Sequence, residues 1–118
     1  MVTREYIPEA GNIVWLDFGP SQGHEQQGVR PGIVVSNSSF NIKTGISLVC
    51  PITKQDKGYI FTVTLKKGLK TSGVILVNHI KSIDWRTRKV QFIEKTEQQT
   101  LEDVQSLIKA ILSGEHAS

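Results

Sequence analysis

Residues 23–37 read "GHEQQGVRPGIVVSN". The first half is polar and bounded by glycines; the second half turns abruptly into an apolar, β-branched run. Pro31 stands at the changeover. Proline has no N–H to give a ladder and is tolerated at the entry of a strand. It also holds the residue before it, Arg30, in extended backbone. The stretch therefore reads as a loop over 19–30 that empties into a strand, "RPGIVVSN" (30–37). Loops fixed to a rigid scaffold are where sites tend to lie.

The same signature recurs in both directions along the chain. "NIVWLDF" (12–18) is short, β-branched and aromatic, bounded by Gly11 and by Gly19-Pro20, and predicts another strand. Residues 38–45, "SSFNIKTG", are a connection with room for one helical turn. "ISLVCPIT" (46–53) is a third strand, and its Pro51 places it at an edge or a bulge. "KQDKGY" (54–59) is a polar turn before a fourth strand, "IFTVTL" (60–65). "KKGLKTSG" (66–73) supplies glycines for a hairpin loop. "VILVNHIKSIDW" (74–85) reads as the longest strand, with "VQFIE" (90–94) beside it. Short strands separated by such turns predict an antiparallel sheet curling into a small barrel.

The end of the chain has a different period. Leu101, Val104, Leu107, Ile108, Ile111 and Leu112 recur at helical spacing and predict one amphipathic helix. Thr96 and Gln99 have the spacing of a capping box, and Gly114 is placed to end the helix. Glu97, Glu102 and Asp103 suit its N-terminal end through the helix dipole. The expected fold class is mainly β with a C-terminal α-helix.

A chain of 118 residues is expected to be a single domain, 1–118. That length buries roughly two-thirds of the unfolded surface, so a core forms without disulfides. With 38% hydrophobic and 21% charged residues the composition is that of a globular rather than a disordered chain. No apolar run approaches the roughly 20 residues that span a bilayer. The N-terminus, "MVTREYIPEAG", has no signal-peptide pattern. A lone cysteine, Cys50, allows no intrachain disulfide and no thiolate cage. The expected location is the cytoplasm, with no membrane association. Charge is uneven: residues 1–93 carry twelve Lys/Arg against six Asp/Glu, whereas 94–118 carry two against five. A basic body attracts phosphate backbones or acidic proteins, although such an excess also serves plain solubility.

Several chemistries find no support in this pattern. His24, His79 and His116 are scattered, and zinc needs three or four converging ligands; no metal or other cofactor is expected. "GPSQGHEQQG" lacks the Lys-Ser/Thr ending of a phosphate-binding loop. Cys50 lies in an apolar strand, where a thiol packs as a small hydrophobe. What remains is Glu25, Arg30 and Thr53. A guanidinium offers a planar fork of donors to a phosphate, a carboxylate accepts a proton, and a hydroxyl donates to a phosphate oxygen. Together they suit cleavage of RNA through its own 2′-hydroxyl. The bland alternative is a loop salt bridge between Glu25 and Arg30, worth roughly 0–1 kcal/mol if exposed, with Thr53 an ordinary strand-end residue.

The string "GHEQQGVRPGIVVSN", with Phe40, "PIT" (51–53) and "VNHIKSIDWRTR" (77–88), resembles the MazF/PemK/ChpB toxins of bacterial type II toxin–antitoxin systems. The opening "GNIVWLDFGPSQG" and the terminal helix match as well, so the resemblance covers nearly the whole chain. It implies a sequence-specific, metal-independent endoribonuclease that cuts single-stranded mRNA and stops translation. It also implies a small SH3-like barrel of the CcdB/PemK-like toxin fold, a homodimer, and a cognate antitoxin whose acidic segment blocks the basic groove. Carried over by position, Glu25 corresponds to the proposed proton acceptor or a residue that orients Arg30. Arg30 corresponds to the phosphate-stabilising arginine, and Thr53 to the threonine that contacts the scissile phosphate.

There are departures. Where some relatives carry aspartate and glutamine, this chain reads Asn78-His79; asparagine exchanges no proton near neutral pH, whereas a histidine can titrate there. Position 29 is valine where some members have histidine, which raises interest in His24, although an exposed loop histidine is the simpler reading of it. His24, Lys57, Asn78, His79 and Arg86 are the expected RNA-binding residues. Trp85 with Arg86, Arg88 and Lys89 forms a basic and aromatic run, but Trp85 and Trp15 read equally well as core. A non-catalytic, CcdB-like poison of DNA gyrase is the competing class; it has no need of the Glu25, Arg30 and Thr53 set, and this chain lacks an aromatic residue at its C-terminal end.

Overall fold

The computed structural model describes residues 5–19 and 28–114. Seven strands and two helices are present among them: Asn12–Asp17 (β1), Val29–Val34 (β2), Ser38–Thr44 (α1), Ile46–Thr53 (β3), Thr62–Thr64 (β4), Val74–Leu76 (β5), Lys81–Asp84 (β6), Gln91–Lys95 (β7) and Gln98–Ser113 (α2). All strand pairings are antiparallel, and the order is β4-β5-β3-β2-β1-β7, with β6 also paired to β3. The sheet curls into a barrel-like shape without closing, since β4 and β7 are its unpaired ends.

The continuous apolar runs of the central strands have a direct cause. Successive side chains point to opposite faces, and both faces are covered. Ile13, Ile33, Cys50, Ile52 and Ile75 form one core with Val104 of α2, while Val14, Val34, Val49, Ile83 and Trp85 form a second on the other side. α2 buries Leu101 and Val104, but its stripe does not end in the core: Ile111 is 41% exposed and Leu112 is 82% exposed.

Five sequence expectations are corrected. The 90–94 segment does not pair beside 74–85; as β7 it pairs with β1, Val14 opposite Phe92. The long strand over 74–85 is two strands separated by a 3-10 turn, Val77–His79. Ile75 pairs with Ile52, so a continuous ladder would put Asn78 opposite Val49; the partner found there is Lys81, three residues later. Pro51 is not at an edge. It is buried in the central strand, at the point where β3 exchanges β6 for β5 along the edge opposite β2. That exchange leaves a break in the ladder where a missing N–H is tolerated. Residues 38–44 form a helix of nearly two turns, capped by Asn37 Oδ1 accepting from Phe40 N at 2.9 Å. Finally, Thr96 does not cap α2. Glu97 takes the N-cap position without a side-chain bond, Thr96 N–H donates to Gly11 O at 2.9 Å, and Gln99 turns to Asp103. Gly114 ends the helix as expected, with φ of 73°.

Candidate active site

Strand register assembles the site. Leu16 pairs with Arg30 and Trp15 with Pro31 across β1 and β2, while Gly32 pairs with Pro51 across β2 and β3. Gly32–Pro51 ends that ladder, and Arg30 and Thr53 each lie two residues beyond it. Both residues line one cleft of about 410 Å³, together with Trp15, Lys54, Lys70 and Ser72. Three cations from three segments thus surround it, and no carboxylate is among the described residues that line it.

Thr53 is held in place. It is 9% exposed, and its Oγ1 accepts the N–H of Gln55 at 3.1 Å. An oxygen already accepting one bond still has its own proton to donate, and Thr53 lines the cleft. Behind it, the backbone of Gly73 (φ +124°) lies so close that a Cβ would sit 2.2 Å from Thr53 O, which only glycine avoids. Trp15 is 44% exposed, between Val14 and Leu16, which face the core. Its ring offers a stacking surface beside the cations.

His24 and Glu25 lie outside the described residues, but the base of their loop is defined. Phe18 N donates to Gly28 O and Gly28 N to Gly19 O, each at 3.0 Å. Arg88 Nη1 donates to Asp17 O at 3.0 Å, and Lys81 Nζ to Phe18 O at 3.4 Å. The chain therefore leaves β1 and enters β2 at one place, two residues before Arg30.

The other expected residues lie elsewhere. Lys57 is exposed in the 54–61 connection and Asn78 is exposed on the 3-10 turn. His79 is half-buried, with its ring edge-to-face against Tyr59 at 5.7 Å. Arg86 pairs with Glu5 at 3.1 Å and lies 4.8 Å over the Trp85 ring. None of these four lines the cleft. Cys50 is fully buried, its thiol 3.7 Å from Val77 O, and burial pushes its pKa up to about 12, so it is no nucleophile. No group of three potential metal ligands occurs among the described residues.

Sequence reasoning missed Lys54, Lys70, Ser72 and the role of Trp15. For Trp15 a signal existed: in "IVWLD" it is out of phase with Val14 and Leu16. For Lys70 none existed, because its loop reaches the cleft only through tertiary contacts.

Residues 9–112 match the family described as PemK-like, MazF-like toxin of type II toxin-antitoxin system. The chain belongs to that family. It is 48% identical over 88 residues to the endoribonuclease toxin MazF of Escherichia coli K12, covering 75% of this chain and 78% of that one. It is 33% identical over 110 residues to the endoribonuclease toxin ChpB of the same organism, covering 88% and 93%. The crystal structure of MazF from Deinococcus radiodurans superposes with a TM-score of 0.85 at 42% identity, covering 92% of this chain and 98% of that one. A MazE-MazF complex from Deinococcus radiodurans gives 0.79 at 37% identity, with the same coverage. Membership in this toxin family favours the ribonuclease reading over the gyrase-poison one.

Proposed function

We propose that this chain is the endoribonuclease toxin of a toxin–antitoxin pair, cleaving single-stranded RNA through the substrate's own 2′-hydroxyl. The observation that carries the reading is the placement of Arg30 and Thr53 in one cation-rimmed cleft. A phosphodiester seated there meets the Arg30 guanidinium at its non-bridging oxygens and the Thr53 hydroxyl at one of them. As the 2′ oxygen attacks phosphorus, negative charge builds on those oxygens, and pre-positioned donors stabilise that state more than the ground state. The 2′ proton passes to a base, for which Glu25 is the candidate. The P–O5′ bond breaks with the 5′ oxygen taking a proton, leaving a 2′,3′-cyclic phosphate and a 5′-hydroxyl. Lys54 and Lys70 bind flanking phosphates, and Trp15 stacks on a base. Charge neutralisation falls to side chains, so this route calls for no metal ion.

Lys57, Asn78, His79 and Arg86, none of which lines the cleft, belong to the outer track of the RNA, and His24 is a further candidate contact. The same cations suit the acidic segment of a cognate antitoxin, consistent with the MazE-MazF complexes of the Deinococcus relative. The functional unit is a homodimer acting in the cytoplasm; among the described residues no helix is long and apolar enough to cross a membrane. Incubation of the purified protein with a long defined RNA in EDTA, followed by mapping of the ends, tests the reading. Cyclic phosphate and 5′-hydroxyl termini at a recurrent short sequence are expected; intact RNA, or 5′-phosphate ends, overturns it.

A further inference from the structure

Building on the ribonuclease reading, we propose that Glu94 is a positioning residue: it holds the Lys70–Ser72 segment as the far wall of the cleft, so that Lys70 meets an RNA phosphate flanking the scissile one. β4 and β7, the two ends of the sheet, do not pair. Across that gap the Glu94 carboxylate, on β7, accepts two successive backbone N–H groups of the β4–β5 loop: Lys70 N to Oε1 at 2.9 Å and Thr71 N to Oε2 at 2.8 Å. Hydrogen bonds to an ionised acceptor are roughly twice as strong as neutral ones, and here both oxygens of one carboxylate fix one short segment. Ile93, the neighbour of Glu94, lines the cleft alongside Lys70, Thr71 and Ser72.

The segment is gripped at its other end too. Thr71 is buried while Lys70 stays exposed at the cleft, and Gly73 rests on the Thr53 carbonyl at a distance no Cβ allows. Releasing Glu94 therefore frees Lys70 directly, whereas Thr53 keeps its own strand pairing to Val74. The sign of the effect separates this role from simple electrostatics. A carboxylate next to an RNA cleft repels phosphates, so removing its charge alone tightens RNA binding; removing a clip that aims Lys70 weakens it.

The test is steady-state cleavage of a defined RNA by wild type, Glu94→Ala, Lys70→Ala and the double variant. Glu94→Ala is expected to raise KM about tenfold with kcat within about twofold of wild type, and to add nothing further in the Lys70→Ala background. Glu94→Gln, which keeps one acceptor and the side-chain shape, falls between and serves if the alanine variant does not fold. An unchanged or lowered KM, a fall in kcat instead, or additivity of the two substitutions overturns the proposal while leaving the ribonuclease reading intact. A wild-type protein that leaves RNA uncut overturns both.

Discussion

The two tryptophans divide this molecule. Trp85 is followed by Arg86, Arg88 and Lys89, and in the sequence that run suits a surface for nucleic acid as well as core. In the structure Trp85 is 2% exposed, its Nε1 donates to Asn41 O at 2.9 Å, and Arg86 is shared between its ring and Glu5. Trp15 is flanked by valine and leucine, and its sequence reads as core as readily as that of Trp85. Yet it is 44% exposed and lines the cleft with Arg30, Lys54 and Lys70, none of them near it in sequence. Charge adjacent along the chain was a poor guide to charge adjacent in space, because strand register rather than neighbourhood decides what surrounds a ring.

The contrast can be broken by truncating each ring. Trp85→Ala leaves a large void and takes away one of the two hydrogen bonds that Asn41 O accepts, Gly45 N–H keeping the other at 3.0 Å, so a loss of about 3–5 kcal/mol is expected, with Tm lower by more than about 10 °C. Trp15→Ala is expected to change stability by under about 1 kcal/mol while weakening RNA binding by about 1–3 kcal/mol, the value of one stacked base. Thermal unfolding and RNA titration on both variants check this; a Trp15→Ala protein as unstable as Trp85→Ala removes the distinction.

Those parts of the fold set by local chemistry were legible. β1, β2 and β3 announced themselves through β-branched runs, and α2 through the spacing of Leu101, Val104 and Leu107. What was not legible depends on partners. The break at Val77–His79 exists because two halves of one apparent strand pair with β3 three residues out of step. Pro51 is tolerated centrally only because β3 changes partner there. For the site, Arg30 and Thr53 stood out by resemblance to a family, while residue types and spacing alone favoured a loop salt bridge between Glu25 and Arg30. Lys70 and Glu94 were invisible, being joined across 24 positions.

The Glu94 clip sharpens the comparison with a pH dependence. Burial pushes its carboxyl up, but this is outweighed by the Lys70 and Thr71 backbone N–H groups, the Thr71 hydroxyl and the Lys70 charge, so its pKa lies below the ordinary carboxylate value. A folded-state pKa that is lowered gives stability that is whole above the unfolded value near ~4.3 and is lost as pH falls through the folded one. The urea midpoint of Glu94→Gln should therefore trail that of wild type at neutral pH and converge with it on acidification. A gap that widens in acid contradicts this. The smallest effect belongs to Arg86→Ala. Both members of its pair are half exposed, so stability should move by less than about 1 kcal/mol and RNA affinity by less than in Trp15→Ala, read from the same titrations.

The central claim is that one phosphodiester is gripped by Arg30 from β2 and Thr53 from β3. Single-turnover cleavage of a defined RNA in EDTA by Arg30→Ala, with unfolding followed on the same preparation, addresses it most directly. The expected result is a cleavage rate lower by about a thousandfold with the unfolding transition almost unmoved. A rate within about tenfold of wild type, from a protein just as stable, would contradict it.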